Sequence, residues 1–404
     1  MKALVFKAEP ARYAVLQALR PVSRRFCYSG PFASIGLGDI PDPGLPSPEW
    51  VKIKTVLCGF CGSDLNLILM KDSPTAMPFT SFPCVPGHEI CGRIVETGGS
   101  AGTWKKGQMV VVSPQLNCET RGICPPCQSC QKGKTSNCEN YAEGSLAPGL
   151  FTGICRDING GFAPYLVAHR SQLFAVPEGV LPEEAVLTEP LAVALQAVLD
   201  NIPEKDDKVL VIGGGVIGAL IVRVMRGMGL PCHVTVADPS SLAAEYARMS
   251  GADDVVSGNI IDAAVEITGG RAYKPLLGER VIMGGFHRIF DTVGSKETLS
   301  RSMRVLAAGG TLSVLGIGND VRLDMTPLWL KLQTLKGCYA YGWNTWKGIS
   351  RPVFGIALDM IAEKKVLVGD MLTHTFSLEK YKEMMEVNLA KSKHRAMKTA
   401  VRFE

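Results

Sequence analysis

Two hydrophobic rhythms divide this chain near Glu189. Before that point short apolar stretches alternate with polar positions and are broken by Gly and Pro, the pattern of strands joined by turns. Val51-Lys-Ile-Lys-Thr alternates residue by residue and predicts a strand with one buried face, while Met109 to Val112 predicts a buried strand. The opening MKALVF reads as another strand, and residues 12–44 carry no clear period. After Glu189 strands alternate with helices. Strands are expected at Val209–Ile212, His233–Ala237, Ile289–Val293 and Thr311–Leu315, and helices at Ile217–Met228 and Ser240–Ser250. Such alternation builds a parallel sheet with helices on both faces. From about Tyr339 a mixed pattern returns, so the last segment is expected to rejoin the first domain. The predicted fold class is α/β, with a β-rich domain over 1–189 and 339–404 and a doubly wound parallel-sheet domain over 190–338.

Composition narrows the class. A chain of 404 residues is long enough for two cores, and 46% hydrophobic against 20% charged residues is a globular balance. A net charge of +5, spread along the chain, gives nucleic acid no electrostatic footprint. Lys391 to Arg395 is a local basic run, read as a solvated loop before a last strand. The longest apolar run, Val209 to Val222, falls short of the ~18 residues of a membrane span. The start lacks the apolar stretch of a signal peptide, so a soluble, cytoplasmic protein is expected. The 13 cysteines then need a role other than disulfides.

One glycine cluster sits in a telling context. Gly213-x-Gly215-x-x-Gly218 follows an apolar strand and opens a helix. The first glycine permits a tight turn, the second lets backbone approach a pyrophosphate, and the third lets helix and strand pack closely. The phosphates then lie at a helix N-terminus, which favours anions. Asp238 ends the second strand, twenty positions after Gly218, where a carboxylate accepts from a ribose 2′-hydroxyl and repels a 2′-phosphate. It also suits a helix start before Pro239. NAD is the expected cofactor, contacted by Gly213, Gly215, Ile217, Gly218, Asp238 and Leu315.

Two constellations suggest metal. Cys124-x2-Cys127-x2-Cys130-x7-Cys138 fits a closed four-thiolate zinc site in a lobe spanning about 118–140. An iron–sulfur cluster is the rival, but the ferredoxin pattern wants three residues and then Cys-Pro. The second set joins Cys61-Gly-Ser-Asp64 to Gly87-His88-Glu89, with Cys58 nearby. A catalytic zinc needs about three protein ligands and an open position. The other cysteines, Cys118 among them, are assigned no role.

Together these residues resemble the zinc-containing medium-chain alcohol and polyol dehydrogenases. The likeness runs from about Met1 to Val401 and includes Gly-Gly-Phe-Ala at 160–163 and Glu-Pro-Leu at 189–191. It implies a GroES-like catalytic domain made of both chain ends around a Rossmann domain. It also implies two zinc ions per chain, a small alcohol or carbonyl substrate, and a homodimer or homotetramer. Cys61, rather than Cys58, would bind the catalytic zinc with His88. Glu89 would be a ligand, and Glu189 would bind the metal directly or through water. Asp64 matches the carboxylate that orients the ligand histidine, and Ser63 the hydroxyl that takes the substrate proton. Two positions depart from the pattern: Asn66 stands where many relatives have a relay histidine, and Ala243 where a basic residue often supports the ribose. Rival functions are a zinc-assisted, NADPH-dependent reductase of activated double bonds and a redox-silent NAD-binding protein. Asp238 and both zinc motifs speak against the first, and the joint presence of Cys61, Ser63 and His88 against the second.

Overall fold

The structure is a computed structural model that describes residues 1–316 and 320–403. Ile317, Gly318, Asn319 and Glu404 fall within the expected domain ranges but outside the described residues. The chain forms two compact units, Met1–Glu189 with Tyr341–Ala362 and Val368–Glu404, and Pro190–Ala340 with Glu363–Leu367.

The first unit is built on a seven-stranded sheet. Its axis is Trp50–Phe60, whose alternating pattern buries Val51, Ile53 and Leu57. Glu89–Thr97 and Tyr165–His169 pair antiparallel with it, and so does the last strand, Lys398–Arg402. The C-terminal strand therefore joins a sheet whose other strands come from residues 50–175 and 372–376. Lys2–Phe6 forms a separate antiparallel pair with Ile35–Asp39. The core gathers Val51, Ile53, Ile90, Ile94, Phe162 and Val401, among others.

Between those first two strands the structure adds what the sequence pattern did not disclose, a helix over Pro10–Leu19 and a 3-10 turn over Arg24–Cys27. The basic run near the C-terminus also differs from expectation. Lys391–His394 forms a helical turn rather than an open loop.

The second unit holds six parallel strands: β1 (Lys208–Ile212), β2 (His233–Ala237), β3 (Asp254–Val256), β4 (Phe286–Asp291), β5 (Leu306–Val314) and β6 (Thr334–Gly337). Their order is β3-β2-β1-β4-β5-β6, which is the doubly wound dinucleotide-binding order. The sheet buries Leu210, Ile289 and Leu312 against helices such as Ile260–Thr268 and Lys296–Val305. Ligands of such sheets bind beyond the carboxyl ends of the strands, where the strand order reverses. That point lies between β1 and β4.

Candidate catalytic, metal and cofactor sites

The helix Gly62–Ile68 begins at Cys61 and carries Ser63 and Asp64 in its first turn. Asp64 accepts a hydrogen bond from the Cys61 amide at 2.9 Å, one of the donors a helix start leaves free. The other Asp64 oxygen stands 3.6 Å from His88 Nδ1, an ion-pair distance rather than a hydrogen bond. The approach to His88 is clamped from the side. The amides of Gly160, Gly161 and Phe162 bond the carbonyls of Val85, Gly87 and Pro86 at 2.7, 2.8 and 3.1 Å.

Cys61, His88 and Glu89 converge, with one ligand atom from each within 4.8 Å of the others. Glu89 is fully buried, and one of its oxygens accepts from the Lys398 ammonium of the last strand. Gly59, opposite Glu89 in the sheet, makes the room: a Cβ there would overlap the carboxylate. Glu89 Oε2 and His88 Nδ1 have no hydrogen-bond partner among the described residues. Buried polar atoms are rarely left so. A thiol, an imidazole and a carboxylate with unspent lone pairs form a donor set that suits zinc. Cys58 stands outside the set, fully buried, its thiol pushed up by that burial.

The charges around this set are tightly linked. Burial opposes a charge on His88, but the Asp64 carboxylate and Cys61 hold its pKa well above the ordinary range. Glu189, in the first turn of Thr188–Leu199, is pushed up to about 7 by burial. Glu89 adds to that rise, while the charges of His88 and Lys398 work against it. Glu189 is thus within electrostatic reach of the cluster without being one of its three converging groups.

The cysteine lobe corrects one expectation. The four thiols that come together are Cys118, Cys127, Cys130 and Cys138. Cys124 is exposed and stands apart from them. The cause is local. Asn117 Oδ1 accepts from the Glu119 and Thr120 amides at 3.0 and 3.3 Å, turning the chain back so that Cys118 points inward. Cys124, which precedes Pro125 and Pro126, lies on the outer side. Cys118 and Cys138 sulfurs lie 3.6 Å apart, and Cys127 and Cys138 sulfurs 4.0 Å. Amides of Cys127, Cys130, Glu139 and Asn140 point at these sulfurs from 3.3 to 3.5 Å. Cys138 is pulled down to about 5, chiefly by a hydrogen bond from Cys130.

Arg121, which sequence reasoning passed over, is the hub of this lobe. Its fully buried guanidinium donates to the carbonyls of Leu116, Glu143, Leu146, Ala147 and Gly149 at 2.7–3.2 Å. An arginine fully buried in a cysteine-rich loop has no local signature beyond its presence.

In the second unit Gly213 turns at φ 91, and Gly215 caps the helix Val216–Gly227. A Cβ at Gly218 would overlap the Gly213 carbonyl oxygen, whereas one at Gly215 would meet open space. That open side is what an approaching pyrophosphate needs. Asp238 accepts from the Gly214 and Ser240 amides, both at 2.8 Å, and so ties β2 to the glycine loop. The helix start itself is capped by Ser240. Ile217 lies half-buried in the first turn after the loop, and Leu315, just past β5, donates its amide to Asp291 at 2.9 Å. All six expected cofactor residues thus gather at the carboxyl edge of one sheet.

Two family models match this chain: the alcohol dehydrogenase GroES-like domain over residues 47–178 and the zinc-binding dehydrogenase domain over 216–353. The chain belongs to the zinc-containing alcohol and polyol dehydrogenases. It is an oxidoreductase of CH–OH groups. This dehydrogenase is 27% identical to L-threonine 3-dehydrogenase of Pyrococcus abyssi, over 86% of the chain and 90% of that relative. It is 26% identical to (R,R)-butanediol dehydrogenase of Saccharomyces cerevisiae, over 86% and 91%. In fold it is similar to 2R,3R-butanediol dehydrogenase from Bacillus subtilis, with TM-score 0.72 and 24% identity, covering 92% and 96% of the two chains.

Proposed function

We propose that this dehydrogenase moves hydride between a secondary alcohol, of the small hydroxy or polyol kind, and NAD, with one catalytic and one structural zinc. The observation that carries the reading is the buried convergence of Cys61, His88 and Glu89, with Glu89 Oε2 left without a hydrogen-bond partner among the described residues. Those three residues would hold the catalytic zinc with Glu189 in reach, and Cys118, Cys127, Cys130 and Cys138 the structural one. Zinc there supplies Lewis acidity toward the alcohol oxygen, and NAD supplies the hydride acceptor.

The chain's own groups do the positioning. Asp64 holds His88, Lys398 holds Glu89, and Ser63 takes the hydroxyl proton. Asn66 does not titrate near neutrality as imidazole does, so the proton relayed by Ser63 would end on solvent rather than on a protein imidazole. The glycine loop seats the pyrophosphate at a helix start, and Asp238 selects the unphosphorylated ribose. Support for a secondary alcohol comes from the relatives named for threonine and butanediol.

No described helix is long and apolar enough to cross a membrane. The proposed setting is the cytoplasm, with the chain acting as a homodimer or homotetramer. A panel of secondary alcohols, polyols and ketones, run with NAD(H) and NADP(H) and read at the nicotinamide absorbance band, tests the reading. Turnover with NAD and at least one secondary alcohol is expected. Reduction of activated double bonds with NADPH alone would replace it with the rival chemistry.

A further inference from the structure

Residues 10–34, silent in the sequence pattern, are tied to one place in the first unit. They lie against the C-terminal end of Gly62–Ile68, the helix that starts at Cys61 and carries Ser63 and Asp64. This helix ends with Met70 in the left-handed region at φ 52. The Lys71 amide bonds the Asn66 carbonyl and the Met70 amide bonds the Leu67 carbonyl, both at 2.9 Å. These are the two reverse bonds of a Schellman ending, whose left-handed position is ordinarily glycine. A methionine there crowds its Cβ against the following carbonyl.

Side chains of residues 10–34 hold this strained end. Ser34 Oγ donates to the Ile68 carbonyl at 2.7 Å, and the Arg20 guanidinium to the Leu69 and Met70 carbonyls at 2.9 and 2.8 Å. The Gln17 amide adds a bond to the Met70 carbonyl at 2.9 Å. Three consecutive carbonyls at a helix end, a place that lacks internal partners, are thereby satisfied from one segment. Beneath them Leu16 and Cys27 pack with Leu67, Leu69 and Met70. Strained backbone persists only where its surroundings over-determine it, and it clusters at functional sites.

We infer that residues 10–34 are a brace that fixes the height and rotation of the helix bearing Cys61, Ser63 and Asp64, with Arg20 as its positioning residue. This rests on the dehydrogenase reading of that site. The helix is short, about 10 Å at 1.5 Å per residue, so a shift at its braced end reaches Cys61 directly. The Arg20 guanidinium donates to the Leu69 and Met70 carbonyls and acts through them.

The test uses the full-length protein, cobalt-substituted, as wild type, Arg20→Met and Arg20→Lys. The cobalt–thiolate band of each is read as the difference from a matched Cys61→Ser protein, which removes the contribution of the cysteine lobe. Arg20→Met is expected to shift that band and lower kcat tenfold or more, the scale of a sub-ångström misplacement. KM for the cofactor should hold within about twofold, since the cofactor residues lie elsewhere. Arg20→Lys, which keeps one donor, should recover most of kcat. Should Arg20→Met fail to fold, Gln17→Leu is read instead, with a smaller shift of the same sign. A lowered unfolding midpoint with unchanged band and kcat would overturn the brace and leave the dehydrogenase reading standing. A wild type with neither the Cys61-dependent band nor alcohol turnover would overturn that reading and the brace with it.

Discussion

Lys398 is hydrogen-bonded to Glu89 where solvent reaches neither, at 3% and 0% side-chain exposure. The pair spans three strands: Thr399 sits opposite Phe60, and Gly59 opposite Glu89. Removing one member of a buried ion pair strands the other, at roughly 3–5 kcal/mol. Lys398→Met is therefore expected to destabilise the metal-free protein by about that much. The loss should shrink when zinc supplies the missing positive charge, and Glu89→Gln in the same chain should restore part of the stability. Urea unfolding with and without zinc measures both effects.

The cysteine lobe offers a sharp contrast between two neighbours in sequence. Cys118→Ser should cost one zinc per chain and lower the unfolding midpoint by many degrees, because structural zinc binding is folding free energy. Cys124→Ser should keep both the zinc and the midpoint. Elemental analysis beside a thermal melt decides, and the reverse result would return Cys124 to the ligand set.

Glu189 gives the metal-free protein a pH dependence of known sign. Its pKa rises from 4.5, the ordinary value of a glutamate carboxyl, to about 7. Its contribution to stability is thus fully present below about 4.5 and is lost as pH rises through about 7. His88, also raised, acts in the same direction across higher pH, so the comparison must isolate Glu189. Unfolding midpoints taken from pH 4.5 to 8 should fall less steeply in Glu189→Gln than in wild type. Equal slopes would mean that Glu189 is ionised throughout.

Asp238 has two duties that substitutions separate. Its carboxylate holds the Gly214 and Ser240 amides, and in the proposed cofactor site it would also meet the ribose. Asp238→Ala loses charge-assisted hydrogen bonds, each about 1.5–3 kcal/mol, and NAD affinity should fall tenfold or more. Asp238→Asn removes the charge that repels a 2′-phosphate but leaves one acceptor oxygen for two amides, so one of the two loop bonds is lost. Its affinity for NADP should rise relative to that for NAD. Titrations of both cofactors by fluorescence check this.

What the sequence disclosed depended on how local each signal was. Four of the six strands of the second unit's sheet and the Gly213 to Gly218 turn announced themselves because period and spacing are properties of neighbours in the chain, whereas the short Asp254–Val256 and Thr334–Gly337 carried no such pattern. Cys61, Ser63, Asp64 and His88 were legible through motif likeness. Lys398 was not, since its partner Glu89 lies 309 residues away in sequence and only sheet pairing brings them together. Cys118 was hidden by the regular spacing of Cys124, Cys127 and Cys130, which invited a reading by distance in sequence. A turn at Asn117 decided otherwise. Residues 10–34 showed no period because their polar groups Gln17, Arg20 and Ser34 serve a distant helix end rather than a face of their own.

The central claim is that Cys61, His88 and Glu89 would hold a metal that supplies Lewis acidity, with Ser63 relaying the alcohol proton as hydride goes to NAD. Single-turnover reduction of NAD by a secondary alcohol, compared in wild type, Cys61→Ser and Ser63→Ala, tests it most directly. It reads hydride transfer without interference from slow cofactor release. The account predicts reduction by wild type, none by Cys61→Ser, and a rate on the order of 100-fold slower for Ser63→Ala, the scale of a lost acid–base group. Full-rate reduction by Cys61→Ser, or by Ser63→Ala, would contradict it.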